Sequence, residues 1–205
     1  VLGSLHLGTG SCISKLQEGW AQGSREACLK KVMDAVMRCS ARSVTWLHGH
    51  HGSGKSSLLS KVVQQLSGVS GTVVLSHFFI FGNAASSVEL SIALLCANLW
   101  VHAFGSDVSA ARKYFEDWVP SSESVTVRMH LQQKTVSHFT ALMLRMVKDA
   151  VKSGTLSRLV LVLDALDECS DRHCDVEQDS QISVSDPVVS LTDEFLTPFL
   201  DGMAT

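Results

Sequence analysis

Residues 44–57 read Val44-Thr45-Trp46-Leu47-His48-Gly49-His50-His51-Gly52-Ser53-Gly54-Lys55-Ser56-Ser57. A short apolar run, Val44 to Leu47, leads into Gly49 to Ser56, which fits G-x-x-x-x-G-K-[ST]. Beyond it Leu58, Leu59, Val62, Val63 and Leu66 recur at roughly i, i+3, i+4, i+7 spacing, the period of an amphipathic helix. Strand, glycine-rich turn and helix are the context in which this motif binds phosphate. Backbone N–H groups wrap a triphosphate only where no Cβ intervenes, and Gly49, Gly52 and Gly54 leave that room. The helix beginning near Lys55 turns its free N–H groups and positive dipole end toward the same anion. Lys55 is expected to reach the β- and γ-phosphates and the Ser56 hydroxyl to ligate Mg²⁺, with Ser53 and Ser57 completing the phosphate-binding loop. His50 and His51 occupy the variable positions and are expected to face solvent.

Composition bounds what such a loop can belong to. The chain has 205 residues, 45% hydrophobic and 18% charged, which suits a globular unit with one sizeable core. Its net charge is −3, and without a basic stripe nucleic acid is not an expected partner. The longest apolar stretch, 90–104, is broken by Asn98 and His102. It is too short to span a bilayer and reads as a buried helix. The first residue is Val and no targeting pattern is visible, so the chain is expected to be an excerpt of a longer protein. Six cysteines (Cys12, Cys28, Cys39, Cys96, Cys169, Cys174) show no framework spacing, which points to reduced thiols and a cytoplasmic setting. Cys169, His173 and Cys174 lack a second pair to complete four ligands, so no structural metal is expected there.

Residues 1–22 read as a lead-in and 23–205 as one domain. A helix is expected over 25–39, with Leu29, Val32, Met33, Val36 and Met37 on one face and Ser24 as its cap. Strands are expected at 44–48, 72–81 and 159–163. The spacing predicts helices over 55–66, 88–104, 127–152 (ended by Gly154) and 190–203, with a short one over 110–118 and a loop over 170–189. Strands alternating with helices imply an α/β fold with a parallel sheet, ligands binding at the carboxyl ends of the strands.

A magnesium-dependent phosphate site also needs a carboxylate at the end of a hydrophobic strand. Leu159-Val160-Leu161-Val162-Leu163-Asp164 supplies one, and Asp164 is expected to hold Mg²⁺ through water. Glu168, with Asp167 as the substitute, is expected to orient or deprotonate the attacking water. Small Ala165 leaves room beside the phosphates.

Together these stretches resemble a known family. Trp46 through Leu58 resembles the phosphate loop of NACHT domains, in the STAND class of P-loop NTPases. Leu161 through Cys169 resembles that family's second motif, in which the magnesium aspartate is followed by a small residue, an apolar one and an acidic pair. His77-Phe78-Phe79-Ile80-Phe81 is similar to its aromatic second strand. Gly23-Ser24-Arg25-Glu26 is similar to its Gly-Arg-Glu segment, with Ser24 where the family tends to have glycine; the resemblance would set this segment near the nucleotide base. It implies a three-layer P-loop NTPase fold that binds ATP, or GTP, with Mg²⁺. Slow hydrolysis would switch a larger signalling protein, with effector and repeat domains, between closed and self-associated forms. It further implies a sensor strand between the strands of the two motifs. That strand, and a winged-helix module, are expected to lie beyond this stretch, so that the excerpt alone hydrolyses little.

Two other readings compete: a non-catalytic, nucleotide-gated assembly module, and a different P-loop enzyme. A kinase lid should be rich in arginine, yet only Arg112, Arg128, Arg145 and Arg158 lie between the motifs, scattered. A nucleic-acid motor should show basic grooves.

Overall fold

The computed structural model describes residues 9–18, 20–21, 23–39, 43–80, 87–105, 136–168 and 191–203. The helix expected over 110–118, residues 127–135 of the next helix, Phe81, the loop over 170–189 and the Cys169/His173/Cys174 group lie outside them. Among the described residues the order is α1 (Thr9–Glu18), α2 (Glu26–Arg38), α3 (Lys55–Ser67), β1 (Thr72–Phe78), α4 (Val88–Phe104), α5 (Val136–Lys152) and β2 (Arg158–Asp164). A 3₁₀ turn at Leu166–Glu168 follows, then a π-type turn at Leu191–Leu196 that runs into α6 (Thr197–Gly202).

The two strands pair in parallel, Thr72 opposite Arg158 through Phe78 opposite Asp164. Side chains alternate across a strand, and here the alternation sorts residue types. Leu159, Leu161 and Leu163 pack with Val73 and Leu75 against α4 and α5. Val160 and Val162 pack with Val74 against α2 and α3. Helices therefore cover both faces of the pair, which is why β2 reads as an unbroken apolar run from Leu159 to Leu163 and β1 is apolar from Val73 to Leu75 before Ser76 and His77. The result is a mixed α/β unit with a two-stranded parallel sheet among the described residues.

The larger cluster buries Trp100, Phe139, Met143, Met146 and Phe195. Cys96 sits in it with its Sγ toward the Phe139 carbonyl at 3.4 Å, and burial pushes its thiol well above the usual range, away from thiolate reactivity. Ser87 caps α4 by accepting from the Leu90 N–H at 3.4 Å. As expected, Gly154 ends α5 in the left-handed region, φ 74°. Pro198 lies in the first turn of α6, at its junction with the π-type turn. No helix among the described residues is long and apolar enough to cross a membrane.

Two local expectations need correction. Residues 44–48 are not a strand: among the described residues nothing pairs with this segment, and Val44 and Trp46 stand 77% and 70% exposed. An apolar run becomes a strand only where a neighbour takes its backbone hydrogen bonds. Ser24 does not cap α2 either. Its hydroxyl donates to the Ala21 carbonyl at 2.6 Å, and the N-cap is Arg25, in the left-handed region with no side-chain cap.

Candidate functional site

A cleft of about 980 Å³ opens between the 43–48 segment and β2, within the size range of small-molecule sites. All of β2, Arg158–Asp164, forms one wall together with the acidic turn that follows it. The other carries the loop 49–54 and the start of α3. Gly49, Gly52, Gly54, Lys55, Ser56 and Ser57 line it, as do Asp164, Asp167 and Glu168. The candidate residues, 107 positions or more apart in sequence where the two groups meet at Ser57 and Asp164, thus share one concavity. Ser53 is the exception. It is exposed and outside the cleft lining, and a Cβ built on Gly49 would come within 3.1 Å of its hydroxyl.

The loop is shaped by its glycines and by its own carbonyls. Gly52 and Gly54 take φ 72° and 77°, a region that side-chain-bearing residues seldom adopt. The Lys55 ammonium donates to the Gly49 carbonyl at 2.9 Å and to the His50 carbonyl at 3.1 Å. The Ser53 N–H also donates to the His50 carbonyl, at 3.1 Å. These bonds close the loop into a ring at the N-terminus of α3, where unpaired helical N–H groups collect. His50 and His51 are exposed, as expected.

Leu47 anchors the loop's upstream side in the smaller cluster, with Leu58 and Val62 of α3. The acidic wall is built by the sheet. Asp164 is the last residue of β2 and only 6% exposed, and its carbonyl accepts from the Phe79 N–H at 3.1 Å. Ala165 then turns through φ 54°. The Glu168 N–H donates back to the Ala165 carbonyl at 2.8 Å, winding the acidic pair into a 3₁₀ turn. Within it Asp167 is exposed and Glu168 half-buried.

One residue that shapes the site was not legible as such. The Arg25 guanidinium donates to the Gly54 carbonyl at 3.0 Å, across 29 positions. A left-handed, non-glycine residue costs on the order of 1–2 kcal/mol, and Arg25 adopts it at φ 58°. The only signal in the sequence was the Gly23-to-Glu26 segment, and that similarity carries no information about which atom the side chain meets.

The family model described as Nephrocystin 3, N-terminal, matches residues 23–189. Comparison with curated proteins and with solved structures gave no match. The matched family is associated with a P-loop NTPase-like region of nephrocystin 3. The matched stretch runs from the turn before α2, through the glycine loop and past the acidic turn, and it covers most of the chain: the protein belongs to the nephrocystin 3 N-terminal family.

Proposed function

We propose that this chain is a P-loop NTPase module of NACHT type, with the three-layer fold of that class. It binds a nucleoside triphosphate with Mg²⁺ and hydrolyses it slowly as the switch of a larger cytoplasmic signalling protein. One observation carries the reading: a glycine loop at a helix N-terminus and a strand-end carboxylate followed by an acidic pair open into the same cleft. Of the two nucleotides, ATP is the first to test and GTP the second.

The donor set suits magnesium. Mg²⁺ is held by one or two carboxylates together with substrate phosphates rather than by an all-protein cage. Ser56 offers a hydroxyl and Asp164 a carboxylate in one cleft. Those two residues would hold the ion, which when bound supplies charge neutralisation of the phosphate oxygens. The rest is done by the chain. Lys55 exchanges its loop carbonyls for phosphate oxygens, and the free N–H groups at the start of α3 face the same anion. Glu168, more sheltered than Asp167 and in the same cleft lining as the glycine loop, is the better placed of the pair to accept a proton from water.

The test is thermal melting with and without nucleotide. Mg·ATP at about 100 times its dissociation constant should stabilise the chain by roughly 2.7 kcal/mol, and Lys55→Ala should abolish the shift. An unchanged melting point with both ATP and GTP would sink the binding claim. Glu168→Gln should keep the shift and lower turnover about 10²- to 10⁴-fold. Turnover that survives this change would move the base to Asp167 or another group.

A further inference from the structure

We infer that Arg25 is a positioning residue of the phosphate loop, holding the Gly54–Lys55 peptide so that its N–H faces the cleft. The Gly54 carbonyl accepts two bonds, from the Leu58 N–H at 3.0 Å and from the Arg25 guanidinium at 3.0 Å. A trans peptide is planar, so its N–H points opposite to its carbonyl. Fixing the Gly54 oxygen toward Leu58 and Arg25 fixes the Lys55 N–H toward the N-terminal mouth of α3, the direction from which an anion approaches.

The loop needs such an outside hold. A helix N-cap normally takes an extended backbone, and its own side chain bonds the first turn. Gly54 does neither: it is left-handed, and it has no side chain to cap with. Arg25 fills the space a side chain would take, since a Cβ on Gly54 would collide with its guanidinium. Arg25 is itself held in the left-handed region. Such an outlier persists only where the surroundings over-determine it, and outliers of this kind gather at functional sites. Only one other non-glycine residue among those described shares that conformation, and it is Ala165, directly after Asp164.

The consequence for binding rests on the proposed phosphate-binding role of the loop; the hold on the loop does not. Both can be read on the 205-residue chain. Arg25→Gly removes the side chain and relieves the strained φ, so the melting point should hold or rise slightly. Amide exchange in a peptide covering 49–57, measured without nucleotide, should accelerate about tenfold while a peptide covering β2 stays unchanged. Affinity for a fluorescent Mg·ATP analogue should fall about tenfold as well. Arg25→Lys, which keeps a cationic donor, should bring both values back to within about threefold of wild type. Unchanged loop exchange in Arg25→Gly overturns the inference, and so does Arg25→Lys behaving like Arg25→Gly. If loop exchange responds as expected while the wild-type chain ignores both nucleotides, the hold by Arg25 stands and the nucleotide reading falls.

Discussion

Asp164 and Gly49 stand on opposite walls of one cleft, but the segments that deliver them are held by different physics. Asp164 arrives at the end of β2, in a parallel ladder with β1, with leucines on one face and valines on the other both covered by helices. Gly49 arrives at the end of residues 43–48, which pair with nothing among the described residues and leave Val44 and Trp46 to solvent. On the acidic wall, position follows from many buried contacts. On the loop wall it depends on Leu47, on the Lys55 ammonium and on one guanidinium reaching over from the N-cap of α2. The contrast teaches that a glycine loop can be shaped by its helix and a few polar contacts while the strand-like segment before it stays bare.

Substitutions of decreasing severity probe that contrast. Leu75 is 0% exposed in β1, and Leu75→Ala should cost about 2–5 kcal/mol in urea unfolding. A loss below about 1 kcal/mol would mean that the ladder side is not the better-held wall. Gly54→Ala comes next, at about 1–2 kcal/mol, because it forces a Cβ into the left-handed region and displaces Arg25. Gly52→Ala is its control: φ is similarly positive, but a Cβ there meets nothing within 4 Å. Equal losses at the two glycines would show that packing against Arg25 adds nothing to the loop. Trp46→Ala should have the smallest effect, under about 0.5 kcal/mol, as for other exposed positions. A loss of several times that would break the comparison by showing that Trp46 is buried in solution and that 44–48 has found a neighbour.

Much of the site was readable from one-dimensional spacing because its chemistry is local. The loop glycines, Lys55 and Ser56 follow one another without a gap, and α3 formed where its period placed it, at Lys55–Ser67. The apolar run before Asp164 also formed a strand, Arg158–Asp164. The same kind of run at Val44 to Leu47 did not. Hydrophobicity selects a segment for burial, but a ladder needs a second backbone alongside, and no local pattern reports whether one is there. Ser24 failed as a cap for a related reason. Its residue type suits the role, yet the left-handed turn at Arg25 shifted the helix start and left the Ser24 hydroxyl on the Ala21 carbonyl.

The sequence by itself determined the chemical inventory: a glycine loop with its lysine and serines, an aspartate closing a hydrophobic strand, an acidic pair behind it, and the periods of the helices around them. Tertiary structure alone decided how that inventory is mounted. It set the leucine and valine rows of β2 against different helices, brought both motifs to one cleft, left 44–48 without a ladder and aimed Arg25 at the Gly54 carbonyl. The division has a plain cause. Residue type and period fix what a segment can do with its nearest neighbours along the chain. Contacts across 29 or more positions, such as that of Arg25 with Gly54, depend on where every other element packs.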